Sequence, residues 1–435
     1  MIQADDAPYP TPRRAAYMVA VLALVTFTAL LDRYLPLVMI DPMRHDLGLS
    51  DTGISLAQGL SFAIFYCVAG VPLGRLIDRR SRRNLLAGAV LVWTVMAVWS
   101  GLATDFTQLL IARAGVGIAE AALAPAAYSM IADCYPPRQQ GRAIGLYFTS
   151  LSVGSSLSFL LGAQLFAYLL QHPVDLPLIG EVAAWRATFV LTALAGIPAL
   201  MLIFTLTEPV RRSIVRTAGD AGLGTFLRGN AREVLMLYLC FGLLAFLSVI
   251  ALSWGAAFYG RTFGIPVRTT GTIMGIVVLV AGILGPIAAG MFSDRFSRQR
   301  EGAGRFRVPL IAAILATPAL ILWPIVPWIG VSFALYFVAT VAFAFGTSTT
   351  GAIIQDVVPT GLRGQTVAIN QITMLLASGL SPTMVALVTD NLFGDPSALR
   401  WSVALVAGVF GSAAVLASLA NLRFYARLRE RALHG

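Results

Sequence analysis

Charge is what this sequence most lacks. Asp, Glu, Lys and Arg make up 12% of its 435 residues, about half the share found in soluble domains. The hydrophobic set reaches 57%, more apolar surface than a soluble chain of this size could cover, so that class is excluded. Lysine is missing altogether, and all 31 basic residues are Arg. Cys67, Cys134 and Cys240 are scattered, without metal-ligand spacing or evident pairing. His45, His172 and His434 fall in expected loops or the tail. No metal site, nucleophilic triad or phosphate-binding glycine loop can be drawn from these residues. An enzyme is not expected, and no cofactor is implied.

What the sequence has instead is long apolar runs. Twelve stretches approach or exceed the roughly 20 residues that cross a bilayer as a helix. They lie at 16–40 (span 1), 53–77 (span 2), 84–103 (span 3), 106–131 (span 4), 142–170 (span 5) and 184–206 (span 6). The second set is 233–259 (span 7), 269–292 (span 8), 308–328 (span 9), 331–354 (span 10), 365–389 (span 11) and 401–422 (span 12). Span 1 follows Arg13 and Arg14, as the core of a signal peptide would. It lacks a small-residue cleavage site and runs past the usual length of such a core, so it reads as retained.

The formal net charge of +10 could suggest nucleic acid, but its distribution points elsewhere. Twenty-four arginines fall at the termini and in alternate loops: Arg13–Arg14, Arg75–Arg83, Arg138–Arg142, Arg211–Arg232, Arg295–Arg307, Arg363 and Arg423–Arg431. Five fall on the opposite side (Arg44, Arg186, Arg261, Arg268, Arg400), and two lie within spans. An even number of spans with this bias places both termini in the cytoplasm of a bacterial-type inner membrane. The basic clusters read as a topology signal in contact with lipid headgroups, and nucleic acid is not an expected partner.

The chain also repeats itself at about half its length. Gly74-Arg-Leu-Ile-Asp78-Arg79-Arg-Ser-Arg82-Arg83 follows span 2, and Gly290-Met-Phe-Ser-Asp294-Arg295-Phe-Ser-Arg298 follows span 8, 216 positions later. Asp133-Cys-Tyr-Pro136 with Gly141-Arg142 follows span 4. Asp356-Val-Val-Pro359 with Arg363-Gly364 follows span 10, 223 positions on. Two such echoes imply an all-α membrane protein of two six-helix bundles related by an axis along the membrane normal. The expected organisation is 1–210, a basic linker at 211–232 and 233–435, with Thr207-Glu208-Pro209 ending span 6.

At this point the residues resemble the major facilitator superfamily, whose loop between spans 2 and 3 carries a similar Gly-x-x-x-Asp-Arg motif. Ser81 stands where glycine is commoner. The resemblance implies the major facilitator fold, twelve transmembrane helices in two bundles, normally monomeric. It also implies a cytoplasmic latch, holding the bundles in the outward-open state, built from Gly74, Asp78, Arg79, Arg82, Arg83, Asp133 and Arg142. Asp294, Arg295, Arg298, Asp356 and Arg363 would be the matching set. Gly74 is expected to let helices approach, and Asp78 to pair with arginines or a helix N-terminus.

The most informative residues are those that lipid should reject. Only Asp32, Arg33, Arg113 and Glu120 lie well inside spans. Each charge at mid-bilayer costs about 2.5–3.5 kcal/mol on insertion scales, so four cost about 10 kcal/mol, as much as the whole stability of a typical domain. They must pair or face water. Arg113 and Glu120 are seven residues apart, on one face of span 4. Asp32 and Arg33, adjacent in span 1, point in different directions. The expected arrangement is two cross-helix pairs between spans 1 and 4. Carboxylates beside arginines can hold a proton whose affinity depends on solvation and partner distance. Asp32 and Glu120 are therefore candidate proton-coupling residues, with Arg33 and Arg113 as charge partners or headgroup contacts. Across 100 mV one proton supplies about 2.3 kcal/mol, roughly fortyfold accumulation.

The second half shows no charge within a span. Tyr34 and Tyr147 in the first half and Tyr238, Trp254, Asn370 and Gln371 in the second are candidate cavity-lining residues, the last four each more readily explained as a helix–helix contact. An apolar wall opposite a charged one suits an amphiphile with a headgroup and an alkyl tail.

Leu31-Asp32-Arg33-Tyr34, Arg113-Ala-Gly-Val-Gly-Ile-Ala-Glu120-Ala, Ile131-Ala-Asp133-Cys-Tyr-Pro-Pro137 and Ser378-Gly-Leu-Ser-Pro382 are similar to motifs of the Spinster-like family. That resemblance implies a proton-coupled carrier of lysophospholipids or sphingosine-1-phosphate-like lipids. Ala119 departs from the glycine usual before the glutamate, and the glycines of span 5 are reduced to Gly154 and Gly162. A sugar-acid symporter family shares the Asp-Arg and Arg…Glu-Ala patterns, but Tyr135 occupies its expected tryptophan position. A drug–proton antiporter ranks third, because span 5 has no proline between Gly141 and His172.

Overall fold

The computed structural model describes residues 8–176, 180–212, 222–297 and 304–434. Among them twelve helical spans are long and apolar enough to cross a membrane. The first six are Pro12–Val38, Asp51–Arg79, Arg82–Leu102, Phe106–Cys134, Pro137–Gln171 and Ala184–Thr205. The second six are Ala231–Phe263, Val267–Ser297, Gly304–Leu322, Ile329–Val357, Arg363–Phe393 and Pro396–Arg431. The all-α expectation holds, with one small exception. Val174–Leu176 and Gly180–Val182 pair as an antiparallel ribbon between spans 5 and 6. Two three-residue strands are too short to register as a periodicity.

Several helices outrun their apolar runs at arginine-rich ends. Span 2 continues to Arg79 and span 8 to Ser297, so 78–79 and 293–297, beyond the expected ends of those spans, are helical. An apolar run ends where the bilayer ends. A helix can run on past that point unless a breaker ends it, and neither segment holds a proline or a glycine of positive φ. Starts are marked more plainly. Asp105 accepts the Gln108 N–H at 2.9 Å and Ser81 that of Asn84 at 3.3 Å, both as N-caps.

By contacts the chain divides into two units, Met1–Val215 with Ile265–Ile276, and Arg216–Gly264 with Val277–Gly435. Within the first, span 1 packs along span 5, and span 3 packs against spans 4 and 6. Within the second, span 7 packs along span 11, and span 9 against spans 10 and 12. The internal repeat is thus a repeat of packing. The core of the first unit is built around buried Leu22, Val25, Trp93, Val116 and Met130.

Two prolines break helices where the site forms. Span 1 is α-helical to Tyr34 and then tightens into a 3-10 turn, Leu35–Val38. Pro36 has no N–H to give the carbonyl of Asp32, four residues back. Span 4 is helical over Phe106–Glu120, stops, and resumes at Leu123–Cys134. Pro125 likewise leaves the Ala121 carbonyl without its donor, and the Ala122 N–H reaches Ala119 at 3.3 Å instead. Spans 2 and 4 cross so closely that a Cβ on Gly117 would lie 2.7 Å from the Phe62 carbonyl oxygen, so only glycine fits there.

Candidate functional site

The breaks in spans 1 and 4 bring the four intramembrane charges together inside the first unit. Asp32, Arg113 and Glu120 are all but fully buried, at 2%, 1% and 2% exposure. Arg33 Nη2 donates to Glu120 Oε2 at 2.5 Å. This is one of the two expected cross-helix pairs. The second takes a different form, because Arg113 Nη1 donates to the backbone carbonyl of Asp32 at 3.2 Å, not to its carboxylate. The cause lies in the sequence, since that carbonyl is the one Pro36 leaves without a helical partner. Arg113 therefore staples span 4 to the end of span 1. Asp32 Oδ1 and Glu120 Oε1 are buried with no hydrogen-bond partner among the described residues.

The Arg33 guanidinium also lies over Phe62, 4.5 Å from the ring centroid, and within 5.6 Å of Tyr66, favourable cation–π geometry. Arg33 and Glu120 face a cavity of about 100 Å³, also lined by Thr26, Tyr66, Tyr128 and Tyr147. The Thr26 hydroxyl donates to the Leu22 carbonyl at 2.8 Å, so Tyr147 is the donor in their 2.8 Å contact. Tyr128 meets Tyr147 edge-on at 5.7 Å. Asp32 and Arg113 do not line the cavity.

Of the other candidate lining residues, Tyr34 is half-buried with its ring 5.8 Å from Phe159. Tyr238 donates to the Thr366 carbonyl at 3.0 Å and Trp254 to the Pro382 carbonyl at 3.1 Å, bonds between spans 7 and 11 within the second unit. Asn370 is buried, reaching only Met374 Sδ at 3.3 Å, while Gln371 is exposed.

At the arginine-rich end of the first unit, Arg82 is 1% exposed and surrounded by acceptors. It donates to Asp133, to Ser129 at 2.9 Å and to the Pro209 carbonyl at 2.7 Å, and pairs with Glu208 at 3.4 Å. Glu208 also accepts from the Ser81 hydroxyl and from the Arg82 N–H at 2.8 Å. Partial burial pushes the Glu208 carboxyl up. The hydrogen bonds from Ser81 and Arg82 outweigh that and hold it below its ordinary range. Arg211 donates to the carbonyls of Asp78, Ile77 and Arg80, capping the end of span 2. Neither Glu208 nor Arg211 was expected here. Thr207-Glu208-Pro209 read only as a helix stop, and a charge that meets its partner 126 positions away leaves no local pattern.

The second unit repeats the node in simpler form. Arg305 pairs with Asp356 at 2.8 Å, and the Tyr425 hydroxyl donates to the same carboxylate at 2.8 Å. Arg82–Asp133 and Arg305–Asp356 each join residues 51 positions apart. The counterpart of Arg82 is thus Arg305, whereas the motif alignment pointed to Arg298, which lies outside the described residues. Arg79, Arg142, Asp294 and Arg295 are exposed. Arg83 bonds Asn84 and the Leu206 carbonyl, both at 3.2 Å, and Arg363 the Val358 carbonyl at 3.1 Å. A Cβ on Gly74 would meet nothing within 4 Å, so close helix approach is not what glycine serves here.

Twelve spans in two repeated halves, with a charged pair inside the first, describe a multi-pass membrane carrier. The chain belongs to the Major Facilitator Superfamily, which it matches over residues 22–382 and 254–430. An "MFS-type efflux pump" of Mycolicibacterium smegmatis is 28% identical over 99% of this chain and 98% of its own length. "Protein spinster homolog 1" of Homo sapiens is 26% identical, covering 93% of this chain and 81% of that one. The crystal structure of a bacterial homolog of the human lysosomal transporter Spinster, inward-facing and unoccupied, superposes with a TM-score of 0.79. It is 24% identical and covers 97% of this chain and 98% of its own. Within the superfamily the chain resembles the Spinster proteins.

Proposed function

We propose that this protein is a proton-coupled secondary carrier of a small amphiphile, a lysophospholipid-like molecule, working by alternating access in a bacterial inner membrane with both termini cytoplasmic. One observation carries the reading: Glu120, buried and paired with Arg33, forms the wall of an aromatic cavity of about 100 Å³. One carboxylate oxygen is held by the arginine and the other has no partner, which is where a proton would sit. Protonation would cancel the charge that retains Arg33 and free a cation for an anionic headgroup. Asp32, behind the cavity, is a second protonation site, and Arg113 holds the two helix breaks in register. The tyrosines supply apolar faces with polar edges, suited to the junction of headgroup and tail. The Mycolicibacterium smegmatis relative, an efflux pump, favours export.

The experiment is transport in proteoliposomes under an imposed pH gradient, comparing a lysophospholipid with a sugar acid. Proton movement with the lysophospholipid is expected. Proton movement with the sugar acid alone would replace this reading with that of an organic-anion symporter.

A further inference from the structure

The first unit carries a second concave surface that the transport reading does not use. Spans 2, 3 and 4 enclose an apolar groove of about 290 Å³. Buried Ile77 and Ala122 form its floor, with Leu73 and Ala89 packed beside them. Leu76, Leu91, Val92 and Ile118 are exposed around it, as on a face turned to lipid. Gly88 keeps it open, for a Cβ there meets nothing within 4 Å. From Asn84 to Val92 the groove follows nine residues of span 3, a rise of about 12 Å, close to the hydrocarbon depth of one leaflet, roughly half of 30 Å.

The two ends differ. One is apolar at Val92, while the other carries Asn84, the polar residue of the lining. Arg83 Nε donates to Asn84 Oδ1 at 3.2 Å, and its Nη1 donates to the Leu206 carbonyl. Both partners are neutral, so among the described residues no acid pairs with Arg83 at the mouth. Exposed Arg79 and Arg80 add to it against one exposed acid, Asp78. The charge of Arg82, by contrast, is spent on Asp133 and Glu208. A slot one leaflet deep, apolar inside and cationic at its mouth, matches a lipid whose headgroup is negative. Ala119 and Ala122 in its wall flank the break of span 4.

We propose that this groove holds one acyl chain of an anionic glycerophospholipid, with the phosphate at Arg83 and Asn84 and the chain against Ala119 and Ala122. The site is separate from the transport cavity and stands whether or not protons are coupled.

Native mass spectrometry of the full chain, released from vesicles of equal phosphatidylglycerol and phosphatidylethanolamine, tests it. The wild type should retain one phosphatidylglycerol, preferred about fivefold, the value of one arginine near a charged lipid surface. Arg83→Gln should bring the preference to about one. Gly88→Leu should empty the groove, and Val92→Trp, at the exposed far end, serves if Gly88→Leu does not fold. Equal retention of the two lipids by the wild type would overturn the proposal, as would unchanged retention in Gly88→Leu or Val92→Trp. So would disulfide joining of two chains through Val92→Cys in the membrane, which would show a second copy covering the groove.

Discussion

The two units use one packing plan with opposite interiors. In the first, span 4 carries Arg113 and Glu120 against the broken end of span 1. In the second, the offset that turns Arg82–Asp133 into Arg305–Asp356 turns Arg113 and Glu120 into Tyr336 and Phe343, both buried. Span 10 folds without any charge there, so the charges of span 4 are not a requirement of the fold. They are retained at an insertion cost of about 2.5–3.5 kcal/mol each, which points to work done by the charges themselves. The nodes at the arginine-rich ends differ in degree. Arg82 is fully enclosed with four acceptors, while Arg305 keeps 25% of its side chain exposed.

Substitutions can break this comparison, and the largest effect should come from the intramembrane acids. Glu120→Gln and Asp32→Asn should each abolish proton-driven transport while leaving folded, membrane-inserted protein, checked by uptake alongside size-exclusion profiles. Wild-type uptake in both would make the two interiors equivalent. Next comes Arg82→Ala, which strands Asp133 and should cost about 3–5 kcal/mol. Arg305→Ala should cost about 1 kcal/mol, as part-exposed pairs do. Thermal unfolding in one detergent would compare them, and equal losses would contradict the asymmetry.

A milder test converts the first interior toward the second. The double variant Arg33→Leu/Glu120→Leu should be as stable as wild type or more so, by up to about 4 kcal/mol, and inactive in transport. Strong destabilisation would mean that the pair is structural. The smallest effect concerns pH. Glu208 binds its proton less tightly folded than at its ordinary value near 4.5. Its contribution is fully present above that value and is lost as pH falls through the lowered folded value. Glu208→Gln should therefore flatten the acid limb of the stability profile, and an unchanged limb would deny its role.

Much of this architecture was legible because lipid imposes few solutions. Twelve apolar runs and two motif echoes suffice for the spans and their pairing. The four intramembrane charges stood out because each is expensive where it lies. What escaped was set by backbone groups and distant contacts. Arg113 and Asp32 look like a side-chain ion pair until Pro36 is seen to orphan the Asp32 carbonyl. Glu208 and Arg211 find their partners across more than 120 positions. The helical ends at Arg79 and Ser297 lie beyond the hydropathy signal altogether.

The central claim is that Glu120 exchanges a proton during the transport cycle. Its most direct test separates exchange from accumulation in proteoliposomes of wild type and Glu120→Gln. Wild type should accumulate substrate against its gradient when a pH difference is applied. Glu120→Gln should exchange labelled for unlabelled substrate across the membrane yet accumulate none. Accumulation by Glu120→Gln at the wild-type level under the same pH difference would contradict the claim.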